Sequence, residues 1–146
     1  MISAGAIGPE MESLTVENRG ADRMTWQPLS EVDVWGKIDQ ACERMTLEQR
    51  RVWEAIRVTP EKWALAPYGN QGGGFWVVGL IGRTVVWYND IEEGFNRSRY
   101  ERYGAISDYY CNQDDLETVI QGLVSYLREG VESGPFLGPP RPVIQR

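Results

Sequence analysis

The chain has 146 residues, 42% of them hydrophobic, which suffices for one core of ordinary size and leaves no room for a second domain of typical length. Histidine is absent and the two cysteines, Cys42 and Cys111, are far apart, which excludes Ser-His-Asp and Cys-His nucleophile pairs, CxxC chemistry and the commonest zinc ligand sets. A net charge of −6 disfavours direct nucleic-acid binding, because an acidic field repels phosphate.

Residues 1–25 mix glycine, serine and charge without periodicity and carry further methionines at Met11 and Met24, so they are expected to form a mobile extension. This start lacks the basic segment and apolar block of a secretory signal, and the expected location is the cytoplasm. No apolar run reaches the roughly 20 residues that span a bilayer, and no membrane partner is expected. Both cysteines read as plain buried thiols.

A single domain over residues 26–130 opens at Ser30, an N-cap followed by Glu31 and Asp33, with Trp35, Ile38, Ala41 or Cys42, and Met45 at helical spacing. Thr46-Leu47-Glu48-Gln49 is a capping box and starts a second helix that buries Val52, Trp53 and Ile56. Thr59-Pro60-Glu61 repeats the start signal with proline at the first helical position, which predicts a single turn presenting Trp63 and Leu65. The stretch from Gly72 to Tyr88, GGGFWVVGLIGRTVVWY, reads as a hairpin: strand 75–81, a two-residue turn at Gly82-Arg83, and a return over 84–88. In the first strand Phe75, Val77 and Ile81 alternate with Trp76, Val78 and Leu80, so both faces are apolar and the hairpin is expected at the centre of its sheet. The glycine run precedes a strand rather than a helix and so lacks the geometry that cradles phosphate.

Residues 95–103, FNRSRYERY, read as an exposed edge strand or an ordered loop, and residues 105–110 as another short strand. Asn112 is placed as the cap of a last helix with Gln113-Asp114-Asp115 in its first turn, a stripe of Leu116, Val119, Ile120, Leu123, Val124 and Leu127, and Gly130 at its end. Residues 131–146 form a Pro/Gly-rich tail, either a polyproline-type ligand or a disordered terminus. Runs of helices and runs of strands, without strict alternation, give an α+β fold: a mostly antiparallel sheet with two N-terminal helices and one C-terminal helix packed on it.

Residues 90–117 hold eight acids and three bases, so most of the net charge lies in this window. The same window and its margin carry Tyr88, Phe95, Tyr100, Tyr103, Tyr109 and Tyr110. Large rings beside acids suit a protein interface, and the candidate partner-binding residues are Tyr88, Phe95, Tyr100 and Tyr103 as anchors with Asp90, Glu92, Glu93, Asp114 and Asp115 for steering. The expected partner is a basic protein, and the expected function is non-enzymatic binding. Two alternatives stand beside it: a carboxylate-based hydrolase of a sugar-like ligand, for which Asp90, Glu92 and Glu93 are the candidates, and a homo-oligomeric structural protein. NDIEEG lacks the ligand alternation of a calcium loop, and no metal or cofactor is expected.

Two N-terminal helices, the glycine-rich turn into Phe75-Trp76, a hairpin, an acidic loop and a closing helix resemble, across about residues 30–130, the small bacterial immunity proteins of the SUKH superfamily. The resemblance implies an α+β module that neutralises a toxin, often a nuclease, by direct binding.

Overall fold

The Ser30 hydroxyl accepts the Asp33 N–H at 3.2 Å and opens helix α1, Glu31–Arg44, in a computed structural model that describes residues 26–132 and 134–139. The expected extension over residues 1–25 and the tail beyond residue 139 lie outside the described residues. Both halves of the capping box form, Gln49 N–H to Thr46 Oγ1 at 3.1 Å and Thr46 N–H to Gln49 Oε1 at 2.9 Å, and α2 runs Leu47–Ile56. The third helix, α3, spans Leu116–Glu129 and stops at Gly130.

Four strands follow α2 directly: β1 Arg57–Trp63, β2 Phe75–Ile81, β3 Thr84–Asn89 and β4 Gly94–Arg99. They pair antiparallel in the order β1-β2-β3-β4, so the hairpin is central and the α+β architecture is as expected. Gly82, at φ +57, occupies the first position of the β2–β3 turn, where a side chain would be strained.

Three local expectations are corrected. Thr59-Pro60-Glu61 lies in β1 rather than in a helical turn: the ladder skips from Arg57↔Gly79 to Glu61↔Val77, and Pro60 sits in that irregular stretch of an edge strand, where a missing N–H removes no ladder bond. Residues 105–110 form no strand. Their backbone is held by single bonds instead, Ile106 N–H to Ala64 O at 2.9 Å, Ser98 Oγ–H to Asp108 O at 2.8 Å and Asn89 Nδ2–H to Tyr110 O at 3.0 Å. The N-cap of α3 is Asp115, three residues beyond the expected Asn112.

The sheet carries one apolar cluster on each face. The three helices cover the first, built on Val78, Val86, Tyr88 and Phe95 with Val34, Trp53, Ile56, Leu116 and Ile120 among its helical members. Trp63, Phe75, Val77, Val85, Trp87 and Ile106 form the second. A register shift between Val77 and Gly79 makes Val78 the extra residue of β2, so beyond it the faces exchange. Ile81 therefore packs with the helices and Leu80 with the second cluster, the reverse of simple alternation. Elsewhere α1 buries Val34 rather than Trp35, and Leu127 at the end of the α3 stripe is 58% exposed.

β4 is an edge strand but is not exposed, with Phe95, Asn96, Arg97 and Ser98 all buried. The 107–114 segment closes its outer side, Ser107 N–H reaching Arg99 O at 3.0 Å and Phe95 N–H reaching Asp114 O at 2.8 Å. Outside that segment lies residues 134–138, so this part of the expected tail is docked on the domain. Gly94 marks the tightest crossing, since a Cβ there would stand 2.2 Å from Asn112 O. Cys42 and Cys111 are free and half-buried rather than fully buried.

Candidate functional site

The polar face of α1 places Lys37, Gln40 and Arg44 along the groove above β3, β4 and the start of α3. Opposite them stand Glu93, Asp114 and Asp115, and the floor is made by Tyr88 and Phe95, enclosing a cleft of about 70 Å³. Five of the nine predicted partner-binding residues thus meet in one place. The two rings meet edge to face, centroids 4.8 Å apart at 63°, and both are nearly inaccessible. They form a floor rather than the projecting anchors expected from sequence.

Charge in the cleft is finely divided. Lys37 Nζ stands 5.3 Å from the centre of the Tyr88 ring, a cation–π distance. Arg44 is engaged by Glu117, with Nη2 to Oε1 at 3.1 Å, and that guanidinium holds the Glu117 carboxyl below its ordinary value. Burial first, then the charges of Glu93 and Asp90, push the Tyr88 hydroxyl up to about 12. Tyr88 is therefore neutral at physiological pH. Asp114 accepts Asn112 Nδ2–H at 3.1 Å, whereas Asp115, although at the N-cap, makes no side-chain capping bond. Glu93 and Asp115 are exposed at the mouth.

The remaining four residues lie elsewhere. Asp90 turns toward the chain's N-terminal side: one carboxylate oxygen accepts the Leu29 N–H at 2.9 Å and its carbonyl accepts Trp26 Nε1–H at 3.1 Å. Its other oxygen, Oδ1, is buried without a hydrogen-bond partner among the described residues, and burial pushes the carboxyl up. Glu92 follows the Asn89 turn, donating its N–H to Asn89 Oδ1 at 3.1 Å. Tyr100 and Tyr103 gather at Trp63, with centroids at 5.1 and 4.8 Å, and Tyr100 donates to Gly82 O at 2.9 Å. The acid window is thus divided between at least three locations.

Sequence reading missed Lys37, Gln40 and Arg44. Their spacing of three and four residues on one helix face was the available signal, but nothing local shows that this face meets β4. Among the described residues no three His, Cys, Asp or Glu side chains are grouped so as to hold a metal ion, and no helix is long and apolar enough to cross a membrane. No family model matches the chain, and no curated protein or solved structure matches it either.

Proposed function

We propose that the chain is a non-enzymatic protein-binding module of the immunity type, acting in the cytoplasm, whose cleft receives a basic side chain of a partner protein. The observation that carries this reading is the convergence of Glu93, Asp114 and Asp115 around an aromatic floor that already attracts an ammonium group, that of Lys37. A lysine or arginine head at the mouth of the cleft would meet the exposed carboxylates of Glu93 and Asp115 beside Lys37. Carboxylates in this arrangement imitate the charge of a phosphate backbone, which suits a nuclease-type partner with a basic substrate surface. Asp90 is held by Leu29 and Trp26 and does not line this cleft, so the hydrolase candidates Asp90 and Glu93 do not face one pocket as a two-carboxylate mechanism requires.

The test is capture of partners from native lysate by the tagged full chain and by a Glu93→Gln/Asp114→Asn/Asp115→Asn variant, at low and high salt. A basic protein should be retained by the wild type at low salt and lost at high salt, and the variant should not retain it. Retention that the triple substitution leaves unchanged overturns the assignment of the cleft.

A further inference from the structure

Two asparagines in series extend the sheet outward without a regular ladder. Asn96 on β4 holds the main chain of Asn112, accepting its N–H at 2.9 Å and donating Nδ2–H to its carbonyl at 3.1 Å. Asn112 repeats the pattern one step further out: Nδ2–H donates to Pro135 O at 3.0 Å and Oδ1 accepts the Leu137 N–H at 2.7 Å. Beside it Cys111 N–H donates to Leu137 O at 2.6 Å. A side-chain amide that bonds one residue's carbonyl and the N–H two residues on reads an extended backbone whatever its side chains, as an open strand edge does.

Side-chain recognition comes from Arg97. Its guanidinium, 8% exposed, grips both carboxylate oxygens of Glu132 at 2.6 and 2.8 Å and lies 5.0 Å from the Phe136 ring centre. The strap nevertheless fits loosely. Phe136 and Leu137 are 37% and 50% exposed, and a cavity of about 370 Å³ remains beside them, reaching Gln121, Gly122 and Ser125 on α3.

We propose that this groove is a peptide-binding site occupied in cis by the chain's own Glu132 and residues 134–137, and that a partner protein's extended segment, bearing an acid followed by an aromatic and an aliphatic residue, takes their place. The cis segment shows the pattern that the groove reads: a carboxylate and a ring for Arg97 and an extended backbone for Asn112. The unfilled volume gives a partner with a larger side chain the advantage. Charge preference separates the two surfaces, since this groove takes an acidic segment and the cleft a basic one. Failure of one leaves the other standing.

A fluorescein-labelled synthetic peptide of residues 131–139 is the probe, titrated by fluorescence anisotropy into the full chain and into a full-length Glu132→Ala/Phe136→Ala variant whose own strap is weakened. A tethered competitor acts at an effective concentration on the order of millimolar, so weakening it should tighten peptide binding at least about tenfold. Adding Asn112→Ala to the variant should remove that binding. A peptide carrying the same Glu132→Ala and Phe136→Ala changes requires no altered fold, and it should bind at least about tenfold more weakly than the parent peptide. Equal affinity for wild type and strap variant overturns the proposal, as does undiminished binding by the altered peptide.

Discussion

Glu93 adopts φ +59 and is the one described non-glycine residue in the left-handed region. For an L-residue with a Cβ that conformation costs about 1–2 kcal/mol, partly offset in a comparison with glycine by glycine's greater freedom in the unfolded chain. Glu93→Gly should therefore raise the unfolding free energy by roughly 0.5–1 kcal/mol while removing a cleft carboxylate, with urea titration and partner capture moving in opposite directions. Loss of stability would show that the strain is absent. Asp90 has the opposite character, a buried acid with one oxygen unmatched, its carboxyl raised by burial against the pull of the Leu29 N–H and of Lys62. The unfolded chain titrates near the ordinary carboxylate value, about 3.9. Between that value and the raised one the folded state binds more protons, so this group's contribution makes stability fall as pH rises through the window and become flat above it. Asp90→Asn should flatten that part of the pH profile of the urea midpoint, and superimposable profiles would exclude the effect. The division between the two was not legible in the sequence, where Asp90, Glu92 and Glu93 stood together as steering acids and as hydrolase candidates. One backbone turn sends Asp90 toward Leu29 and leaves Glu93 at the cleft.

At the level of elements, boundaries marked by local chemistry were readable. Ser30, Thr46 with Gln49, and Gly82 each satisfy or relieve their own stretch of backbone, so their signals needed no tertiary context. The stripe of α3 was readable in the same way except at its end. Leu123 is 1% exposed and Leu127 is 58% exposed. Leu123→Ala should cost about 2–5 kcal/mol and Leu127→Ala within about 0.5 kcal/mol, measured as paired shifts in chemical unfolding. A comparable cost at both positions would mean that the helix end is covered in solution. Where an element depends on its neighbour, the reading failed. Thr59-Pro60-Glu61 carries a helix-start signal, yet β2 offers a free edge beside it and the segment pairs. Alternation along β2 was correct through Val78, and the register shift there then exchanged the faces of Leu80 and Ile81.

Across the whole molecule, the central sheet separates two clusters, and each face of the hairpin is covered as its apolar composition requires. The second cover is not a layer of helices. It is the 105–112 loop, with Ile106 inserted and the backbone fastened by Asn89 and Ser98. The same loop carries Asn112 to the outer edge, so one irregular segment both seals a core and builds a groove. Charge density was concentrated along the chain but not in space, because consecutive residues of a turn point to different faces. The sequence alone determined the α+β class, the central hairpin, the caps at Ser30 and Thr46 and the absence of histidine chemistry, all of which rest on composition or on contacts within a few residues. Only the tertiary structure decided which acids share a cleft, that α1 completes it, and that the proline-rich end docks beside β4. Those outcomes depend on helix-to-sheet packing and on asparagine bonds between residues 16 to 25 positions apart, and no local pattern encodes them.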